Sequence, residues 1–133
     1  MTLKTVFEND YGTVRYEDEH GYVFHTFNRP IGVLPFQEVL NAGLDALAAN
    51  EATKWMSDDR KNAEFAPEDI QFAVGDWGPR AAAAGWKYWA LVVPEDIAGR
   101  ASMTDIINTF YELGVQVAIF VNLEDAQKWI LER

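Results

Sequence analysis

The fold is decided by the segment YWALVVP, residues 88 to 94, in which every side chain before the proline is apolar or aromatic. A strand that is apolar on both faces is typical of the centre of a sheet covered by helices on both sides. The segment VQVAIFV, residues 115 to 121, has mostly the same character, although Gln116 interrupts it. We therefore expect two adjacent strands that run in the same direction and lie buried under helices.

Helices are predicted on either side of the second of these strands. From Met103 to Phe110 an apolar residue recurs every three or four positions, which indicates one buried helix face, and Ser102 is its expected N-cap. Asn122 is the expected N-cap of a final helix from Leu123 to about Leu131. The second half of the chain thus reads as strand, helix, strand and helix.

The first part of the chain has a different pattern. Three short runs rich in Val, Tyr, Phe and Thr are separated by turn-forming residues, and they lie at Thr2 to Phe7, Thr13 to Glu17 and Tyr22 to Asn28. Runs of this kind, joined by short turns that contain Asn, Asp and Gly, predict an antiparallel meander.

A helix and a strand are predicted after the meander, and a second helix follows them. Apolar residues at helical spacing indicate a helix from Pro35 to about Asn50, and Lys54 to Asp58 reads as a short strand. Pro67 suits the first turn of the next helix, which Gly78-Pro79 is expected to break or kink.

The resulting order is β-β-β-α-β-α-β-α-β-α. Strands separated by helices imply right-handed crossovers and a parallel half-sheet, to which the meander adds an antiparallel part. The sequence contains no linker and no internal repeat, and 133 residues suit one domain. We therefore predict a single layered α/β domain with a mixed sheet, spanning residues 1 to 133.

The charge balance excludes several classes of partner. Eleven basic and twenty-one acidic side chains leave a formal net charge of −10, which disfavours binding to nucleic acid or to an anionic membrane surface. No cysteine occurs, so disulfides and thiolate metal sites are excluded, and no apolar tract approaches the length of a membrane helix. These features predict a soluble cytoplasmic protein.

Charged side chains follow two of the predicted parallel strands. In open α/β sheets, ligands gather beyond the carboxyl ends of such strands. Paired carboxylates there are able to hold Mg²⁺ or to act in acid-base chemistry, but their usual role is to solvate a loop. The candidate residues at this edge of the sheet are Asp58, Asp59, Arg60, Lys61 and Glu95.

Four tryptophans fall in one third of the chain, at positions 55, 77, 86 and 89. Rings of this size either fill a core or form the wall of an apolar pocket, and both interpretations stay open. Arg80 follows Gly78-Pro79 and is placed to bind the acidic head group of a lipid, or else to stay solvated at a helix end. The tentative ligand-binding set is Trp55, Trp77, Arg80, Trp86 and Trp89.

Motifs of common enzymes are absent from the sequence. There is no G-x-S-x-G elbow, no G-x-x-x-x-G-K phosphate loop and no H-E-x-x-H metal motif. His25 shares a predicted strand face with Val23 and Phe27, which favours a hydrogen-bonded structural role over that of a base. We therefore expect no catalytic residues, no metal and no cofactor.

Three segments resemble the STAS superfamily and, within it, the bacterial SpoIIAA-like branch related to anti-sigma-factor antagonists. They are Phe27-Asn28-Arg29-Pro30 with its following helix, Trp55 to Asp59, and Val117 to Ala126 with Trp129-Ile130. The resemblance implies a non-enzymatic domain that binds a protein or a small ligand. In phosphorylated members a Ser or Thr begins the helix after the fourth strand, whereas Phe65 to Asp69 contains no hydroxyl, so that phosphorylation switch is not implied here.

These observations lead to one expected function and two alternatives. The expected function is a binding or regulatory module with a protein partner, which is also able to form a homodimer. The first alternative is a carrier or sensor of an apolar small molecule or lipid that uses the tryptophans. The second is an Mg²⁺-dependent enzyme or phosphoacceptor that uses Asp58 and Asp59.

Overall fold

Six strands form one sheet whose spatial order is the order of the chain. The structure is a computed structural model that describes residues 2–133. The first three strands are antiparallel, and the third to sixth are parallel to one another. This confirms the meander and the parallel half-sheet. The strands are β1 (Leu3–Glu8), β2 (Gly12–Glu17), β3 (Tyr22–Phe27), β4 (Lys54–Asp58), β5 (Tyr88–Val92) and β6 (Gln116–Phe120).

Helices cover both faces of the sheet, as an α/β layer requires. On one face, buried residues from the helices after β3, β4 and β5 pack on the odd-numbered residues of β3, β4 and β5. On the other face, Ala126 and Ile130 of the last helix pack against Tyr22, Met56 and Val92. The helices are α1 (Val33–Ala49), α2 (Pro67–Gln71), a π-helical segment (Phe72–Trp77), α3 (Gly78–Ala83), α4 (Ile97–Ser102), α5 (Thr104–Glu112) and α6 (Leu123–Leu131). No helix in residues 2–133 is both long and apolar enough to cross a membrane.

Gly78-Pro79 was predicted to break or kink the helix, and the break is wrong, because the backbone stays helical from Pro67 to Ala83. The helix instead widens, and the Gly78 N–H donates to the Ala73 carbonyl five residues earlier, which is the spacing of a π-helix. A Cβ at Gly78 would lie 2.6 Å from the Phe110 ring. Glycine is therefore needed there for close contact between the π-helical segment and α5.

The region after β5 also differs from the prediction. Ser102 does not cap the helix that follows, because its hydroxyl donates to the Gly99 carbonyl at 2.8 Å and accepts from the Phe65 N–H at 3.0 Å. It lies at the end of α4, a helix that the sequence analysis did not predict. Asp96 caps α4, since its carboxylate accepts from the Gly99 N–H at 2.7 Å. By contrast, the predicted cap at Asn122 is confirmed, with its side chain accepting from the Asp125 N–H at 2.8 Å.

The position of β6 corrects another expectation. It runs parallel to β5 and beside it, as predicted, but it is the last strand of the sheet and none of its residues is fully buried. In β5, by contrast, the four residues Trp89 to Val92 are all buried. The apolar sequence of β6 thus predicted its neighbouring strand and its direction correctly. It did not predict that β6 is an edge strand, because that depends on whether another strand lies beyond it.

Candidate functional site

Three hydrogen-bonded side chains, those of Trp55, His25 and Asp59, lie in the core beneath α1. His25 on β3 is the central one: its Nε2 is 2.7 Å from Asp59 Oδ1, and its Nδ1 is 3.0 Å from Trp55 Nε1. An indole nitrogen only donates, so Nδ1 of His25 accepts. A neutral imidazole then carries its proton on Nε2 and donates it to the Asp59 carboxylate. The Trp55 ring therefore sets the tautomer of His25.

The strand pairing explains why these residues meet. In the parallel register of β3 and β4, Val23 lies beside Trp55 and His25 lies beside Ser57. Side chains alternate between the faces of a strand, so the odd-numbered residues of both strands point toward α1. Asp59 follows β4 and continues its direction, because its N–H donates to the Val92 carbonyl of β5 at 3.0 Å.

Burial raises the pKa of Asp59, and the hydrogen bond from the adjacent His25 opposes this shift. A buried carboxylate that keeps its charge needs such a donor. The Ser57 hydroxyl accepts from Trp89 Nε1 at 2.8 Å, and both nitrogens of His25 already have partners. His25 thus has no free nitrogen for Ser57, as expected for a structural histidine.

The four clustered tryptophans are packed against one another on this face of the sheet. Ring centroids are 5.2 Å apart for Trp55 and Trp77, 5.4 Å for Trp77 and Trp86, and 5.6 Å for Trp86 and Trp89. The cavity that they line measures about 30 Å³. That is room for about one or two water molecules, whereas a drug-sized ligand needs about 300 Å³ or more.

The cavity differs in composition from the predicted ligand set. All four tryptophans line it, but Arg80 does not, since its guanidinium bonds Asn41 at 3.1 Å and Asp76 at 3.3 Å on an exposed helix surface. His25, Ser57 and Asp59 line it as well, which the sequence analysis did not predict. Trp55, Ser57 and Asp59 are two positions apart, and residues at this spacing share one face of a strand. This spacing was the feature of the sequence that would have placed Ser57 and Asp59 beside the tryptophan.

The two adjacent carboxylates at the end of β4 do not converge. Asp58 is on the same strand face as Met56, which packs with α6, whereas Trp55 and Asp59 lie on the α1 face. Asp58 pairs instead with Arg60, whose Nε donates to Asp58 Oδ1 at 2.9 Å and whose Nη2 donates to Asp58 Oδ2 at 2.8 Å. The predicted Mg²⁺ pair therefore lacks the common point that a shared ion needs.

Among the described residues, one other group has close ligand atoms: Glu17, Glu19 and His20. Its central carboxylate already has a structural role, because Glu17 accepts from the N–H groups of Glu19 at 3.0 Å and of His20 at 2.7 Å. The His20 ring nitrogen Nδ1 also lies 3.3 Å from the Glu17 carboxylate. These bonds hold the turn between β2 and β3.

Exposed apolar side chains occur at the carboxyl ends of the parallel strands. Val33 and Leu34 follow β3 and are 55% and 63% exposed, and Ile97 follows β5 and is 83% exposed. Lys61 and Glu95 lie in the loops after β4 and β5, which are joined by a bond of 3.1 Å from the Glu95 N–H to the Arg60 carbonyl. We call these five residues the carboxyl-edge surface.

Two buried side chains hold the segment that leads into α1 and the first residue of that helix. Asp69 Oδ1 accepts from the Val33 N–H at 2.9 Å, and Asn62 Oδ1 accepts from the Ile31 N–H at 3.1 Å. Val33 has φ of +54°, a left-handed conformation that a β-branched residue rarely adopts. The start of α1 is thus fixed by contacts from distant parts of the chain, which no local sequence pattern predicted.

Comparisons of this chain with protein-family models, with curated proteins and with solved structures gave no match.

Proposed function

We propose that this chain is a non-enzymatic protein-binding or regulatory domain whose partner contacts the carboxyl-edge surface. The observation that carries the proposal is the exposure of Val33, Leu34 and Ile97 at one edge of the sheet. Removing apolar surface from water contributes about 25 cal/mol per Å². These aliphatic side chains would form the apolar centre of an interface, and the exposed Lys61 and Glu95 would belong to its polar rim.

The rigidity of this edge supports the same proposal. Val33 is bonded to Asp69, and the loops after β4 and β5 are bonded to each other. Ordering loops on association costs free energy, so a surface that is already ordered binds more tightly for the same area.

The two alternative functions have less support. A carrier of an apolar molecule needs more space than the cavity of about 30 Å³ beside the tryptophans. An Mg²⁺ enzyme needs converging carboxylates, whereas Asp58 bonds Arg60 and Asp59 bonds His25. The resemblance to the STAS superfamily agrees with a binding role, and we propose it as the family. Regulation by a phosphorylated hydroxyl before α2 is not part of the proposal, because residues 65–69 contain none.

Site-specific photocrosslinking tests the proposal. Benzoylphenylalanine replaces Ile97 in one variant and Tyr111 in another, both in cells that produce the chain. Tyr111 is 72% exposed and lies near the end of α5, just before β6 begins. It is therefore at the amino ends of the parallel strands, away from the carboxyl-edge surface, and serves as a matched control. We expect one recurring protein adduct from position 97 and none of that mass from position 111.

Two results would contradict this surface assignment. One is that position 97 gives no adduct, and the other is that both positions give the same mixture. The further substitution Leu34→Asp is expected to abolish the adduct from position 97, because it adds a charge to the apolar surface. An adduct of twice the mass of the chain would identify the partner as a second copy.

A further inference from the structure

We infer that the free edge of β6 is a second binding site, separate from the carboxyl-edge surface, that takes an extended peptide with an apolar centre and basic ends as an added strand. β6 is the last strand in the sheet order, so its outer edge has no neighbouring strand in residues 2–133. Edges of this kind pair with extended segments of other proteins through backbone hydrogen bonds.

The pairing with β5 shows which backbone groups face outward. The Gln116 N–H donates to the Lys87 carbonyl at 2.8 Å, and the Phe120 carbonyl accepts from the Val93 N–H at 3.0 Å. Backbone groups alternate in direction along a strand, so residues 116, 118 and 120 pair with β5. The N–H and C=O groups of Val117 and Ile119 therefore point to the free edge.

The side chains at this edge suit an apolar partner. Val117 packs partly against the core under α5, while Ile119 is 55% exposed and Val121 is 68% exposed. These three residues are two positions apart, so they project on the same face. An added strand with apolar residues at alternate positions would cover Ile119 and Val121 as it pairs.

The other edge of the sheet is protected, and β6 is not. β1 carries Lys4 and Glu8, and its register with β2 shifts between Thr5 and Phe7. Charges and irregularities of this kind prevent pairing with foreign strands. From Leu113 to Leu123 the sequence has no charged residue, and the ladder of β5 and β6 is regular.

The charges around β6 favour a basic partner over a second copy. Glu112 precedes the strand, and Glu124 and Asp125 follow it, all of them exposed. Two copies pairing antiparallel through β6 would bring the acidic start of one strand to the acidic end of the other, and each copy carries a net charge of −10. A strand with lysines at both ends meets opposite charges instead. Lys128 on α6 and Lys87, whose carbonyl accepts from the Gln116 N–H, are two basic residues against these three acidic ones.

A pair of synthetic peptides tests the inference. Both alternate valine with threonine, but one has two lysines at each end and the other has two glutamates. Fluorescence anisotropy measures binding to the full chain, and backbone NMR shifts locate it. We expect the lysine peptide to bind at least tenfold more tightly and to shift the amide signals of Val117 and Ile119.

Variants of one residue test the role of the backbone. Ile119→Pro removes an outward N–H and leaves the bonds to β5 in place, whereas Ile119→Thr keeps that N–H and the branched Cβ. We expect the proline variant to lose peptide binding at least tenfold and the threonine variant to lose much less. The lysine peptide with N-methyl groups at alternate amides should fail to bind the unmodified chain, which keeps the test valid if the proline variant does not fold.

Three outcomes would overturn the inference. They are equal binding of the two peptides, shifts that lie away from β6, and undiminished binding of the methylated peptide. A dimer of the unmodified chain in light scattering that Ile119→Pro converts to a monomer would assign the edge to a second copy instead. Substitution of Leu34 or Ile97 is expected to leave peptide binding unchanged, so this test and that of the carboxyl-edge surface fail separately.

Discussion

At His25, one ring is bonded to two side chains that lie 30 and 34 positions further along the chain. The Trp55 indole donates to one nitrogen, and the other donates to the Asp59 carboxylate. The ring is also 4.4 Å from the Phe27 ring, centroid to centroid, so it packs as well as bonds. A single substitution here therefore affects a buried charge, a buried donor and a contact in the core.

We expect His25→Leu to lower the free energy of unfolding by about 3 to 5 kcal/mol, because it leaves the Asp59 carboxylate buried without its donor. Adding Asp59→Asn should recover at least ~1 kcal/mol, since the double variant no longer buries a charge and loses only neutral hydrogen bonds. Urea unfolding followed by tryptophan fluorescence measures both changes. A double variant no more stable than His25→Leu would show that the charge is not the cause.

Residue roles were predicted only in part. The sequence indicates a structural role for His25, from its place between two apolar residues on one strand face. Its partner Asp59 is 34 positions away, and only the parallel register of β3 and β4 brings the two together. The tryptophans were predicted as one group, but the size of the space between them is a property of side-chain packing.

At the level of elements, α1 and α2 depend on each other through one carboxylate. Asp69 is in the first turn of α2, where an acidic residue favours the helix dipole, but its Oδ1 accepts from the first N–H of α1. Gly32 at the start of α1 has no room for a side chain, since a Cβ would lie 2.9 Å from Asp69 Oδ2. The start of α1 is therefore held by another helix.

The pKa of Asp69 gives this contact a pH dependence. Burial raises the pKa above the ordinary value of 3.8, although the bond from Val33 opposes the shift. The folded state then holds the proton more tightly than the unfolded state, so the contribution of this group to stability is greatest below about pH 3.8 and falls as the pH rises through the folded pKa.

Asp69→Asn keeps an acceptor for Val33 and does not titrate. We therefore expect the free energy of unfolding of this variant to increase relative to that of the unmodified chain as the pH rises from 4 toward 7. Urea unfolding of both proteins at several pH values measures the difference, in which the other titrating groups cancel. A difference that stays constant, or changes in the opposite direction, would contradict the raised pKa.

The boundaries of elements follow from the sequence where local chemistry sets them. β4 begins and ends as predicted, and Asn122 caps α6 as predicted. The π-helical segment was not predicted, because a glycine followed by a proline usually interrupts a helix when only the neighbouring residues are taken into account. The packing of Gly78 against Phe110 of α5 instead keeps the backbone helical.

Across the whole molecule, the net charge of −10 opposes the compact state through repulsion between acidic groups. The Debye length is about 10 Å at 0.1 M salt, so moderate salt screens most of this repulsion. We expect the melting temperature to rise by a few degrees between about 0.02 and 0.3 M NaCl. Differential scanning calorimetry measures it, with KCl as a control for specific ion binding. A fall in melting temperature would show that attractive ion pairs outweigh the repulsion.

The sequence by itself determined the α/β class, the number of strands and their positions along the chain, and the parallel direction of the second half of the sheet. Each of these depends on local periodicity, turn residues and the crossover rule, which act over a few to a few tens of residues. It also determined the acidic net charge.

Only the tertiary structure decided which apolar surfaces are covered. β5 and β6 have similar apolar sequences, yet one is central and the other is an edge, because burial depends on what lies beyond each strand. Likewise, Asp59 and Asp58 are neighbours in the chain, but the pleat directs them to opposite faces, where His25 and Arg60 pair with them. The surfaces that we propose for binding are among the apolar surfaces that no other part of the described chain covers.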